Sequence, residues 1–103
     1  MAFDGTEGSQ ITLQDAATMT ASHRSTHPNH RLGHFMGKDI LNQILSQAGC
    51  MGIRMYHGLD TRGNRELVFV GVDANENDIV TGIIADHSFP CPTSCSSSNG
   101  LNS

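Results

Sequence analysis

The chain has 103 residues and a formal net charge of −4, with 16% charged and 37% hydrophobic residues. This length allows one domain, since domains usually contain roughly 50–250 residues, and the apolar content excludes wholesale disorder. No apolar run approaches the ~20 residues that span a bilayer, which argues against a membrane protein, and the scattered arginines of an acidic chain argue against nucleic acid as a partner.

The N-terminal part predicts an arm followed by a helix. Residues 1–10 (MAFDGTEGSQ) are acidic, polar and without periodicity, which indicates a flexible arm. They do not resemble a secretory signal, so a cytoplasmic location is the default expectation. Thr12 and Asp15 have the spacing of a capping box, in which the Thr12 side chain accepts a hydrogen bond from the amide three residues on. Pro28 ends this helix, because the residue before a proline is disfavoured in the α region.

The second helix has the clearer pattern. Its apolar residues recur as one stripe: Ile40, Leu41, Ile44, Leu45 and Ala48. Gly49 stands where a left-handed residue commonly ends a helix. We therefore predict a helix over about residues 38–48.

Three strands are predicted to follow, at residues 51–57, 66–72 and 78–84. The second reads ELVFVGV and is apolar on both faces, which is typical of a central, covered strand. The short connections require antiparallel neighbours. The predicted fold is α+β, with two N-terminal helices followed by a three-stranded antiparallel meander and both helices on one face. This single domain covers residues 11–95, and a flexible Ser/Asn/Gly tail occupies 96–103.

Three cysteines are the first candidates for chemistry: Cys50, Cys91 and Cys95. The C-x3-C spacing of the last two lies within the range of structural zinc sites, and Cys50 or His87 could complete a set of four ligands. A free thiol pair and a local disulfide are the alternatives, and the cytoplasmic default favours free thiols. Cys50 follows a helix C-terminus, where the dipole opposes a thiolate, so no catalytic residue is assigned. No serine-nucleophile or nucleotide-binding motif occurs either, and we expect no enzyme activity.

Histidine is the second unusual feature. Four of the six fall close together: His23, His27, His30 and His34. Their spacing would form a stripe on an unbroken helix, but Pro28 interrupts it. The segment therefore predicts a solvated polar helix end, with weak transition-metal binding or a pH response as the alternatives.

Segments 49–60, 66–78 and 90–95 (GCMGIRMYHGLD, ELVFVGVDANEND and PCPTSC) resemble a group of short uncharacterised Bacteroidota proteins. The group shares a G-C-x-G-I-R-x-Y segment, an L-V-x-V-G-V-D strand and a C-P-x-x-C ending. The resemblance implies no activity or cofactor. It does imply that Cys50, Cys91 and Cys95 belong to a shared design, which favours a metal or redox role for them.

The leading hypothesis is a small non-enzymatic module that binds a protein partner or a second copy of itself. A three-stranded sheet has edges that can pair with another chain, and a small core gains from assembly. The central strand supplies the candidate interaction residues: Leu67, Val68, Phe69, Val70 and Val72. A domain stabilised by zinc at the C-terminal cysteine pair is the first alternative. The second is a ribosomal precursor peptide with residues 91–103 as its modified core, because Cys beside Ser and Thr is the raw material of thioether rings.

Overall fold

The structure, a computed structural model, describes residues 2–103 and confirms the α+β class. The elements are α1 (Leu13–Thr26), β1 (Gly33–Phe35), α2 (Lys38–Leu45), β2 (Cys50–Leu59), β3 (Arg65–Asp73), β4 (Ile84–Ala85) and β5 (Phe89–Cys91). The chain divides into two compact units, and both contain residues of the predicted domain 11–95. Unit 1 comprises the chain up to Gly8 together with Met36–Ser88, and unit 2 comprises Ser9–Phe35 together with Phe89–Ser103. No helix in the described chain is both long and apolar enough to cross a membrane.

Unit 1 is built on an antiparallel sheet with the strand order β2-β3-β4. β2 and β3 form a long hairpin whose pairs run from Cys50↔Asp73 to Leu59↔Arg65. β4 contributes only two further pairs with β3. The antiparallel meander is thus confirmed, but its third strand is much shorter than the predicted 78–84.

The third strand is short because a side chain takes one of its backbone donors. The Ile83 N–H donates to Oε1 of Gln47 at 2.7 Å, so it is not available to the ladder. The Gly82 N–H donates to the Ile79 carbonyl at 3.2 Å, which closes a turn just before β4. Regular pairing therefore begins only at Ile84.

Helix α2 packs on the sheet face that carries Gly71. A Cβ at Gly71 would stand 2.8 Å from Nε2 of Gln47, 3.0 Å from Sγ of Cys50 and 3.3 Å from Cγ2 of Ile44, so glycine leaves the space that the helix occupies. Ile44 is the one fully buried side chain of the described residues. The buried apolar side chains all belong to unit 1: Ile44, Phe69, Val70 and Val72.

Two predictions about the sheet are corrected by the structure. Phe69, Val70 and Val72 are core residues, so they cannot supply the exposed interaction surface assigned to them, while Leu67 and Val68 are half-buried. Within unit 1 the helical cover comes from α2 alone, since α1 lies in unit 2, so the prediction of both helices on one face is not found. The apolar residues of β3 are therefore explained by burial inside this chain.

The N-terminal residues are part of unit 1 and not a separate arm. The Phe3 N–H donates to the Ala74 carbonyl at 2.9 Å, beside the end of β3. The Asp4 carboxylate accepts from the Thr6 amide at 3.0 Å and from the Thr6 hydroxyl at 2.6 Å. These bonds give residues 2–8 a defined path.

Unit 2 contains α1 and a small sheet of β1 and β5. The Thr12 hydroxyl accepts from the Asp15 N–H at 3.0 Å, which confirms the predicted cap, and α1 ends at Thr26, before Pro28. β1 and β5 pair antiparallel over three residues each, and neither strand was predicted. A segment of this length shows too little periodicity to indicate a strand.

The C-terminal tail also differs from the flexible segment predicted for residues 96–103. Its asparagines close hydrogen-bonded turns, in which Oδ1 of Asn99 accepts from the Leu101 N–H and Oδ1 of Asn102 accepts from the Asn99 N–H, both at 2.8 Å. Nη1 of Arg24 in α1 donates to the Leu101 carbonyl at 2.9 Å. The tail is therefore fastened to α1.

Candidate functional site

Strand β2 is an outer strand of its sheet, so one of its edges has no partner strand within residues 2–103. At the hairpin turn the Asp60 N–H donates to the Asn64 carbonyl. Because bonding alternates along an antiparallel ladder, even-numbered residues of β2 bond to β3 and odd-numbered residues point their backbone groups outward. The same alternation places the Gly71 carbonyl on the far side of β3, where it accepts from Ile79. The outward-facing residues of β2 are Ile53, Met55, His57 and Leu59.

This edge lacks the usual protection against pairing. Exposed edges are commonly blocked by proline, by charged residues, by a bulge or by shortness. β2 has 10 residues and no proline, and its register shift lies at its start, between Cys50 and Gly52. Its Arg54 is half-buried and paired with Asp78, so this charge does not block the edge. The N-terminal residues also approach that start, since a Cβ on Gly5 would lie 3.5 Å from the Met51 carbonyl oxygen. The open stretch is therefore residues 53–59, which we call the β2 edge.

The β2 edge exposes large apolar side chains on both faces of the sheet. Met55 and Leu59 are 55% and 71% exposed and share a face, because they are four residues apart on a strand. Tyr56 is 47% exposed on the opposite face. An unprotected backbone edge thus coincides with exposed apolar side chains.

Asp78 joins two side chains of β2 into a network. Nη1 of Arg54 lies 2.5 Å from Oδ1 of Asp78, and the Tyr56 hydroxyl donates to Oδ2 at 2.5 Å. The hydrogen bond from Tyr56 and the pairing with Arg54 hold the pKa of Asp78 below its usual range, and the bond to Asp78 raises the pKa of Arg54. The network compensates the charge of Arg54 and fixes the ring of Tyr56 at the edge.

The predicted zinc ligands are not assembled in the structure. Cys91 and Cys95 form a disulfide in unit 2 with a Cα–Cα distance of 4.8 Å, which corrects the expectation of free thiols. Sulfurs bonded to each other are no longer thiolate ligands. Cys50 is a free thiol in unit 1 and donates to the Gly52 carbonyl, while the exposed His87 lies 3.5 Å from Asp86. Residues 2–103 contain no group of three or more His, Cys, Asp or Glu that could hold a metal ion.

Three of the clustered histidines do come together despite Pro28. The ring centroid of His23 lies 5.3 Å from that of His27 and 6.1 Å from that of His30. His27 and His30 stack with centroids 4.4 Å apart and ring planes 4° apart. Nitrogen lone pairs lie in the ring plane, so stacked imidazoles do not converge on one ion. His27 is exposed, but His23 and His30 are half-buried, so the cluster is less solvated than the helix end that the sequence predicts.

Sequence reasoning missed the exposed side chains of the β2 edge, namely Met55, Tyr56 and Leu59. Their partial alternation indicated a strand, but exposure depends on which strand is outermost. A usable signal was present, since residues 55–59 contain neither a proline nor a Lys, Arg, Asp or Glu.

No family model matches the chain, and no curated protein or solved structure is significantly similar to it.

Proposed function

We propose that the protein is a self-assembling module that forms a homodimer by antiparallel pairing of two β2 edges. The open backbone edge over residues 53–59, with its exposed apolar side chains, is the observation that carries this proposal. Pairing would join the sheets of two copies into one continuous sheet and satisfy the outward N–H and C=O groups of both.

The register follows from the alternation of the strand. A two-fold axis normal to the sheet relates residues of equal parity, so the outward odd-numbered residues pair with each other. With the axis at Tyr56, Ile53 lies opposite Leu59 of the second copy and Met55 lies opposite its His57. An axis at His57 would oppose two imidazoles. An axis at Met55 would extend the pairing onto Met51, where Gly5 approaches.

A second copy suits this edge better than a charged partner. Asp78 already pairs the charge of Arg54, so an acidic peptide would gain little from that side chain. In the Tyr56-centred register Arg54 lies opposite Gly58 of the second copy, and no two like charges face each other. The apolar pairs, Tyr56 on Tyr56 and Ile53 on Leu59, are of the kind that stabilises neighbouring strands.

Sedimentation equilibrium tests the proposal directly. The wild-type chain is expected to approach twice its mass of 11.0 kDa with rising concentration. Met55→Lys adds the kind of charge that natural edges use for protection, and we expect about a tenfold or larger loss of association, which corresponds to ~1.4 kcal/mol or more. Val80→Lys is the matched control, because Val80 is 67% exposed in the same unit but lies outside the strands.

Circular dichroism should show that both lysine variants remain folded. A wild-type chain that stays monomeric at the highest attainable concentration would refute the proposal. An equal loss of association in Val80→Lys would refute the assignment to β2.

A cross-link tests the register. Tyr56→Cys, made together with Cys50→Ser, places two thiols across the axis at a non-hydrogen-bonded pair, where Cα atoms about 4.5 Å apart suit a disulfide. We expect covalent dimers on mild oxidation of this variant but not of Met55→Cys in the same background. The reverse result would move the axis to Met55.

A further inference from the structure

The Cys91–Cys95 disulfide in unit 2 is a reactive group that the proposed dimer does not use. It closes a loop with a sequence separation of 4, and Cys95 is exposed while Cys91 is half-buried at the end of β5. A disulfide stabilises least when its loop is short, and exposed disulfides belong to the more easily reduced class. We propose that this disulfide is a site of reversible thiol–disulfide exchange with low-molecular-weight thiols.

Access to the disulfide is provided by a groove of about 440 Å³ within unit 2. Its lining includes Cys91, Cys95, His34, Phe35, Asn99 and Leu101. A small thiol can therefore enter beside both cysteines. The exposure of Cys95 makes its Sγ the atom that is attacked and makes Sγ of Cys91 the leaving sulfur.

Backbone hydrogen bonds hold the loop independently of the S–S bond. The Ser94 N–H donates to the Pro90 carbonyl at 2.9 Å, and the Cys95 N–H donates to the Thr93 carbonyl at 3.2 Å. The Cys91 carbonyl accepts from the Leu32 N–H at 2.7 Å, beside the pairing of β5 with β1. These bonds keep the two sulfurs near each other after reduction, which the reverse reaction requires.

The exchange balances with two equivalents of a thiol RSH. A thiolate RS⁻ attacks Sγ of Cys95, the S–S bond breaks, and its electron pair leaves on Sγ of Cys91, which takes up a proton. A second RS⁻ attacks the R sulfur of the mixed disulfide, releases RSSR and leaves Cys95 as a thiolate that is then protonated. The protein gains two electrons and two protons, and two RSH become one RSSR.

A redox titration tests this proposal without reference to the dimer. The Cys50→Ser protein is equilibrated with glutathione at graded ratios of reduced to oxidised form, alkylated, and weighed by mass spectrometry. We expect a reversible transition between zero and two alkyl groups, with the same far-ultraviolet circular dichroism at both ends. A disulfide that yields only after denaturant is added, or a reduced form that loses the native spectrum, would overturn the proposal.

Two single-cysteine variants, Cys91→Ser and Cys95→Ser each made in the Cys50→Ser background, test which sulfur is attacked. With oxidised glutathione, the remaining Cys95 of Cys91→Ser should form a mixed disulfide about tenfold or more faster than the remaining Cys91 of Cys95→Ser, because Cys95 is exposed. Equal rates, or a faster Cys91, would contradict the assignment of Cys95 as the attacked residue.

Discussion

The interactions that stabilise unit 1 differ from those that stabilise unit 2. All buried apolar side chains of the described residues lie in unit 1, in α2 and β3. Helix α1 of unit 2 has no buried residue. That unit contains instead a disulfide, a helix cap and a hydrogen bond from α1 to the C-terminal tail. The difference teaches that one chain can bury its core residues in one unit and stabilise the other unit with hydrogen bonds and a disulfide.

Removal of the deepest side chain should break unit 1 first. Ile44→Ala deletes the one fully buried side chain, so we expect a loss of about 2–5 kcal/mol in the unfolding free energy of unit 1. Amide hydrogen exchange followed by NMR measures this separately for each unit. Protection should fall in β2 and β3 but not in α1.

Leu45→Ala is the control for that change, because Leu45 is the neighbouring residue of α2 and is 47% exposed. Its expected loss is about 1 kcal/mol or less. Losses of similar size from both variants would show that the contact of α2 with the sheet does not stabilise unit 1 as described.

Overpacking the same contact should have the next largest effect. Gly71→Ala places a Cβ 2.8 Å from Nε2 of Gln47 and 3.3 Å from Cγ2 of Ile44, so the helix must shift. We expect a loss of about 1–3 kcal/mol, measured by urea denaturation. Gly52→Ala is the matched control, because a Cβ there meets nothing within 4 Å. Equal stability of the two variants would refute the close approach at Gly71.

Removal of the disulfide should be felt in unit 2 alone. The double variant Cys91→Ser and Cys95→Ser frees only a short loop, so the chain-entropy model gives a loss of about 2 kcal/mol or less. Hydrogen exchange should rise in β1 and β5 while β2 and β3 keep their protection. A rise that begins in β3 would show that the two units do not differ in the way described.

A chelator sharpens the same comparison. The structure uses both C-terminal cysteines in a disulfide, so the melting temperature is expected to be unchanged by a chelator. Thermal unfolding with and without the chelator measures this. A lower melting temperature in the chelator would restore the zinc-stabilised domain as the better account of unit 2.

The sequence predicted those elements whose pattern is long and local. The cap at Thr12, the apolar stripe of α2 and the hairpin of β2 and β3 were all within reach. The end of α2 was predicted wrongly, because the helix ends at Leu45 with Ser46 as its C-cap, and Gly49 lies in the turn beyond it. The short third strand was not within reach, because the bond from Gln47 to Ile83 joins residues 36 positions apart. The two strands of unit 2 were not predicted either, because three residues are too few to show a periodic pattern.

The candidate site was harder to predict than the fold. The apolar character of β3 marked it correctly as central, and this same property buries Phe69, Val70 and Val72. A surface for pairing belongs instead to the strand with an open edge, and strand order is a property of the whole sheet. The residues of β2 acquire their proposed role from that order, and composition alone does not reveal it.

The smallest expected effect concerns the network that fixes Tyr56 and Arg54 at the edge. The bonds from both side chains lower the pKa of Asp78 in the folded chain. A carboxyl group whose pKa is lower when folded adds stability above its unfolded pKa and loses it as the pH falls through the folded value. The wild type should therefore lose more stability than Asp78→Asn over this acidic range.

Urea denaturation at graded pH measures that difference, and NMR titration of the Asp78 carboxyl group gives its pKa directly. Tyr56→Phe should raise this pKa part of the way, since the pairing with Arg54 remains. An unchanged pKa in Tyr56→Phe would contradict the hydrogen bond from the Tyr56 hydroxyl. The tyrosine ring would then not be anchored at the edge, and the side chain on the proposed dimer axis would have to be ordered by the second copy itself.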